Sequence, residues 1–176
     1  MIRDDVISIR ELTINAADGF LQLKKIGLST DPNSFIADIS DDPPSYLNEV
    51  RKRINNASAA NGDIILGAFK DKLIGIVSVT RNKSKKRFHK AELHGMYIIP
   101  QYRGIGLGKK LLESILEISK EMKGLEEIEL IVAAHNDNVV KLYENFGFKK
   151  TYLEKNALKV DNGYIDAYHM HLLFEK

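Results

Sequence analysis

Residues 100–112, PQYRGIGLGKKLL, place glycines at three alternate positions between a proline-ended aliphatic run and a long amphipathic pattern. Pro100 has no N–H to donate to a ladder, so the run Ala91–Ile99 must end there as a strand. Leu107, Leu111, Leu112, Ile115, Ile118 and Met122 recur on one face of a helix until Gly124. The chain therefore passes from strand to helix through backbone bare of side chains. Glycines let amide N–H groups face outward at a helix N-terminus, where anions are already favoured.

Three phosphate-binding patterns compete for this turn. A P-loop requires G-x-x-x-x-G-K-[ST], but Arg103 stands where its first glycine belongs and Lys110 where its hydroxyl belongs. A dinucleotide fingerprint starting at Gly104 and Gly106 would need a third glycine at 109, which is Lys109, and an acidic residue ending a second strand where this chain is helical. The pattern R-x-x-G-x-G, met by Arg103, Gly106 and Gly108, fits without exceptions.

The rest of the chain reads as alternating elements. Val6–Leu12 alternates as a strand, and Ala16–Leu28 recurs as a helix. A loop with Asp31-Pro32 and Pro43-Pro44 precedes a second helix over Tyr46–Ile54. Gly62–Phe69 and Leu73–Thr80 form a hairpin across Lys70-Asp71-Lys72. Ile128–Ala134 is a strand, Asn136–Asn145 a helix ending at Gly147, and Phe148–Leu153 and Tyr164–Phe174 are the last strands. With 176 residues, no repeat and no long linker, residues 1–176 are expected to form a single mixed α/β domain.

Charge and composition narrow the function. Lys plus Arg number 26 against 24 Asp plus Glu, so no global charge argues for nucleic acid or a membrane surface. The chain has no cysteine, which removes disulfides, thiolate metal sites and a cysteine nucleophile. No window approaches the roughly 18 apolar residues of a membrane span, and a cytoplasmic protein is the simplest reading. The basic run Arg81–Lys90 reads first as a solvated loop, with an acidic partner, a nucleic acid or a ligand phosphate as the alternative. His169 and His171 share a strand face but bring no third ligand, so no metal is expected.

The stretch AELHGMYIIPQYRGIGLGKKLL, followed by AHNDNVVKLYENFGF, resembles the GNAT superfamily of acyl-CoA-dependent N-acetyltransferases. That family joins a strand, a Pro-x-x-Arg-Gly-x-Gly-x-Gly turn, a helix, and a later Asn-x-x-Ala-x-x-Leu-Tyr-x-x-x-Gly-Phe segment. Asn136, Leu142, Tyr143, Gly147 and Phe148 match the second block, with Val139 standing where alanine is common. The resemblance implies a mixed central β-sheet flanked by helices, whose splayed neighbouring strands form an acetyl-CoA cleft. It implies backbone N–H groups from Arg103, Gly104, Ile105, Gly106, Leu107, Gly108 and Lys109 on the coenzyme A pyrophosphate. Met96, Tyr97 and Ile98 would pair with the pantetheine arm, and Asn136 would contact the cofactor or cap its helix.

The same resemblance makes Tyr143 the acid that protonates the departing thiolate. It makes Glu92, in an Ala-Glu-hydrophobic context, the first choice of general base, ahead of His94 and then His135, with a bound water as the alternative. Strand parity puts Glu92, His94 and Met96 on one face and Leu93, Gly95 and Tyr97 on the other. Asp31, Asp38, Asp41 and Asp42 stand on the side that lines the acceptor in this family, where they either attract a cationic amine or serve solubility. The expected activity is acetyl transfer from acetyl-CoA to a primary amine of a small, polyamine-like or amino-acid-like molecule. A protein lysine or N-terminus and a non-catalytic acyl-CoA-binding module are the alternatives, and a homodimer is compatible with either.

Overall fold

The computed structural model describes residues 6–35 and 46–175; Asp38, Asp41, Asp42 and the Pro43-Pro44 breaker lie outside them. The elements run β1 Ser8–Glu11, α1 Ala17–Thr30, α2 Tyr46–Asn56, β2 Asp63–Lys70, β3 Lys72–Arg81 and β4 Lys90–Ile98. They continue with α3 Leu107–Lys120, β5 Glu127–Ala133, α4 Asp137–Asn145, β6 Lys149–Val160 and β7 Gly163–Leu173. The described residues form a seven-stranded mixed sheet in the order β1-β2-β3-β4-β5-β7-β6. Every neighbouring pair is antiparallel except β4 and β5, which run parallel.

Helices cover the sheet from both sides, and β4 shows which is where. Tyr97 points at α1, where a Cβ on Gly27 would lie 3.1 Å from its ring, while Ile98 points the other way, beside Leu111 of α3. Helix α3 buries Leu107, Leu111, Leu112 and Ile115 of the stripe read from its sequence, together with Leu116, while Ile118 is half-buried. Helix α4 lies on the α3 side, with its Leu142 next to Gly108 and its Tyr143 hydroxyl on Met96.

Two local departures from the sequence reading have physical causes. Ile76 pairs with Tyr97 and Ser78 with His94, so the single residue Val77 of β3 opposes two of β4, Gly95 and Met96. Gly95 takes up the extra residue at φ +63, a conformation that glycine adopts without steric cost. A bulge breaks the two-residue period, so Tyr97 shares the α1/α2 side with His94, whereas Met96 faces α3 and α4. The parity expected for Glu92, His94 and Met96 therefore fails at Met96.

The last hairpin is also longer than its apolar pattern. β6 runs on from Leu153 to Val160, and β7 starts at Gly163. The register shifts between Glu154 and Leu158, and Asn156 sits at φ 56. Asp166 stitches this bulge from the opposite strand, accepting from Lys155 Nζ at 2.7 Å and from the Asn156 amide at 2.9 Å. Polar residues in exposed edge pairing carry no alternation to read.

Ile115 has no exposed surface and sits mid-way along α3. Ile115→Ala is expected to lower unfolding free energy by about 2–5 kcal/mol, the cost of a lost buried side chain and its cavity, measured by equilibrium urea denaturation.

Candidate functional site

The cleft originates where β4 leaves β5. Their parallel pairing covers Lys90↔Glu127, Ala91↔Ile128 and Glu92↔Glu129 and stops there. β5 stays in register with β7 as far as Ala133, so it is β4 that diverges, through the bulge at Gly95. Met96, Tyr97 and Ile98 lie beyond the last β4–β5 pair, and their strand edge toward β5 is left open to form other hydrogen bonds.

The glycine turn closes one end of this opening. Gly104 and Gly106 have φ of +77 and +81, and a Cβ built on either meets nothing within 4 Å. Their glycines answer to backbone conformation, and the space beside them is open. Gly106 is the N-cap of α3, and no side chain caps the helix. The first-turn amides, on Leu107, Gly108 and Lys109, have no intrahelical acceptor by helix geometry, an arrangement that favours negative charge at this end. Gly108 serves packing: its Cβ would lie 3.3 Å from Met96 Cε and 3.6 Å from Leu142 Cδ2. Ile105 is exposed and Leu107 is buried.

Arg103 is tied down on both sides. Its amide donates to the Pro100 carbonyl at 3.2 Å, so outward amides begin at Gly104. Its Nε donates to the Ile98 carbonyl at 2.9 Å and its Nη2 to Asp31 Oδ2 at 2.6 Å. The hydrogen bond to Arg103 holds the Asp31 carboxyl below its ordinary value, and the same partner raises Arg103. The Thr30 hydroxyl lies 2.9 Å from the Tyr97 hydroxyl, a second link from the end of α1 to β4. Asp31, read from sequence as part of an acidic rim, is a strut holding the glycine turn to α1.

Tyr143 stands on the opposite wall. It is buried, packs edge-on to Phe148 at 5.5 Å between ring centres, and donates its hydroxyl to Met96 Sδ at 3.6 Å. Burial pushes its pKa up, so the phenol keeps its proton. Its hydroxyl thus already faces a sulfur, a weak acceptor that a stronger one can displace. Asn136 is the N-cap of α4 by position, yet its side chain makes no capping hydrogen bond. Val139 is partly buried against the core, and His135 is exposed.

On the α1/α2 side, cross-strand pairing sets Asp63, Thr80, Glu92 and Glu129 in one row. Glu92 is exposed and helps line a pocket of about 240 Å³ with Thr80, Lys90 and Glu129. His94 lies one step further along β4; its Nε2 is 2.9 Å from Thr80 Oγ1 and 3.4 Å from Arg53 Nη2. A guanidinium can only donate, so Nε2 accepts and the ring proton sits on Nδ1. Burial, and then the Arg53 charge, holds His94 down at about 4, which keeps it neutral and weakly basic at neutral pH. Arg53 carries no motif, and sequence reasoning missed it because only tertiary packing brings α2 onto this row.

The remaining charged stretches resolve into local pairs. Arg81 is buried under the Phe88 ring and bonds the Phe88 carbonyl, while Arg87 and Lys90 reach Glu129. Much of the basic run is therefore structural. His169 pairs with Glu154 and stacks on Tyr152, whereas His171 pairs with Glu127. The described residues include no cluster of three or more His, Asp or Glu arranged to hold a metal, and no described helix is long and apolar enough to cross a membrane.

The Asp31–Arg103 pair makes a pH prediction. A carboxyl lowered by its partner contributes stability above the ordinary value near 3.9, and that contribution disappears as pH falls through the folded value. Asp31→Asn should be less stable than wild type at pH 7, with the difference shrinking toward pH 3, as read from urea midpoints at both pH values.

Residues 31–148 match the Acetyltransferase (GNAT) family. The acetyltransferase of GNAT family from Streptococcus pneumoniae superposes with a TM-score of 0.86 at 28% identity, covering 96% of this chain and 100% of that one. yncA, a putative acetyltransferase from Salmonella typhimurium whose structure holds its cofactor acetyl-CoA, has a TM-score of 0.81 at 18% identity over 97% of this chain and 95% of its own. The [ribosomal protein bS18]-alanine N-acetyltransferase of Escherichia coli is 32% identical over 77 residues, 44% of this chain and 51% of that enzyme. An N-acetyltransferase of Methanocaldococcus jannaschii, MJ1207, itself uncharacterized, is 30% identical over 70 residues, 40% of this chain and 30% of its own length. The matched segments thus span about half or less of these two curated relatives. A parted parallel strand pair, a glycine turn at an uncapped helix and a buried tyrosine across from it occur in a chain that belongs to the GNAT acetyltransferase family.

Proposed function

We propose that residues 1–176 act as one acetyltransferase domain that moves an acetyl group from acetyl-CoA to a primary amine of a small molecule, by direct attack within a ternary complex. The observation that carries this reading is the pairing of an uncapped helix N-terminus with a buried, protonated phenol on the two walls of one cleft. The amides from Gly104 to Lys109 would hold the pyrophosphate, and the open edge of β4 at Met96, Tyr97 and Ile98 would take the pantetheine amides. Asn136, whose side chain makes no capping hydrogen bond, would contact the cofactor in the same cleft, as the family resemblance implies.

An alkylamine near pKa 10.4 is almost fully protonated at pH 7.4, and removing its proton costs three pKa units, about 4 kcal/mol. In this reading the Glu92 carboxylate takes that proton, directly or through a water, and the amine lone pair attacks the thioester carbon. A backbone N–H of β4 holds the carbonyl oxygen as charge develops there. Collapse expels the thiolate, and Tyr143 gives its proton to that sulfur. His94 is the second choice of base, and its depressed pKa favours Glu92 for the task.

The names of two curated relatives favour one other acceptor: the bS18-alanine N-acetyltransferase and an N-alpha-acetyltransferase from Sulfurisphaera tokodaii, the latter 33% identical over 61 residues. An N-terminal α-amine of a protein is the second reading. Thiol release from acetyl-CoA across free amines and N-terminal peptides, with product mass, tests both; turnover with peptides alone would replace the small-molecule acceptor.

Three variants test the roles. Gly106→Glu brings a carboxylate and a strained φ to the anion site and should abolish acetyl-CoA binding in calorimetry while circular dichroism stays native. Tyr143→Phe keeps the ring packed and should slow single-turnover transfer about 10- to 1000-fold with acetyl-CoA affinity within a few-fold. Glu92→Gln should lower turnover by about two orders of magnitude and recover part of it at high pH, where more free amine exists. An unchanged pH–rate profile in Glu92→Gln would assign the proton to another group.

A further inference from the structure

Arg53 is the half-buried guanidinium of α2 that stands over β3 and β4. Its Nη2 lies 3.5 Å from Thr80 Oγ1 and 3.4 Å from His94 Nε2, two long contacts to neutral groups. No carboxylate among the described residues makes an ion pair with it. Elsewhere in the fold Arg51 pairs with Asp18, Arg87 with Glu129 and Arg103 with Asp31. A guanidinium offers five N–H donors in a planar fork suited to a carboxylate, and most of this fork is unused by the described residues.

The position of Arg53 gives the unused donors a use. Thr80 is the cross-strand partner of Glu92, and His94, two residues along β4, is the next side chain on the same face before the bulge. Arg53 therefore stands over the two neighbours of the carboxylate assigned to take the acceptor's proton. A molecule whose ammonium meets Glu92 would bring a substituent a few bonds away under Arg53.

We propose that Arg53 binds the carboxylate of the acceptor, so that this chain acetylates a free amino acid, an amine and a carboxylate on one small molecule. The inference rests on the acetyltransferase reading above and narrows its acceptor. A polyamine would set a cation against Arg53. A residue at a protein N-terminus has its α-carboxyl in a peptide bond and offers no such charge. Val50 and Ile54 already anchor α2 in the core, so the fold does not need the guanidinium to hold the helix down.

The test is equilibrium binding to the coenzyme A-loaded protein. The probes are the twenty common L-amino acids, β-alanine and γ-aminobutyrate, each beside its own carboxamide, and thiol release from acetyl-CoA is followed in parallel. At least one acid should bind about 10- to 100-fold more tightly than its amide, the factor that a charge-assisted pair supplies. In Arg53→Gln that ratio should fall to near one while the affinity of the amide stays the same, and Arg53→Lys should restore part of it. A wild-type protein with no acid-over-amide preference for any member overturns the proposal whether or not the variants fold. A preference that survives in folded Arg53→Gln overturns it equally. Turnover of amines without that preference sinks the carboxylate anchor and leaves the acetyltransferase reading standing. An Arg53-dependent preference without thiol release supports the anchor and sinks the transfer reading.

Discussion

The separation of β4 from β5 after three paired residues is the constraint on which the rest of the site depends. A parallel ladder that continued to Ile98 would satisfy both strand edges and leave no cleft. The bulge at Gly95 prevents this, because one extra residue turns β4 while its pairing with β3 resumes at Tyr97. The same turn reverses the side-chain order along the strand. Met96 is delivered to Tyr143 on the α3/α4 side, and Tyr97 to α1 on the other. One glycine thus sets the opening, the wall that carries the phenol, and the wall that receives the end of α1.

The glycine turn depends on a second set of contacts, made by its arginine. Arg103 binds the Ile98 carbonyl and Asp31 together, so the end of β4, the turn and the end of α1 move as one piece. The turn's amides can then present a fixed geometry with no side chain in the way, as anion binding requires. Charge on the α1/α2 side follows a different logic. Glu129 and Glu127 are neutralised by Lys90 and Arg87, which leaves Asp63, Glu92 and Arg53 as the charged groups flanking Thr80 and His94.

Much of this was legible in advance where local chemistry fixes the backbone. The α3 stripe, the stop at Pro100, the β2–β3 hairpin and the glycine turn all follow from residue type and period. The Tyr143 segment was legible because its residues repeat a spacing already attached to a family. The polar extension of β6 was not, since Lys155 and Asn156 have no pattern and are held only by Asp166 across the hairpin. Nor was the face of Met96, because a bulge depends on the pairing of two strands and leaves only an unremarkable glycine in one of them.

The sequence by itself determined that strand, glycine turn and helix follow one another, that no cysteine chemistry occurs, and that Tyr143 stands in a segment whose spacing resembles that of the GNAT family. These are properties of neighbours along the chain, governed by backbone sterics and hydrophobic period. Tertiary structure alone decided that Asp31 is a strut for Arg103, that His94 is half-buried and held neutral, and that Arg53 stands over the Glu92 row. Each of these joins residues from separate elements, and the charge a side chain meets depends on what folding packs against it.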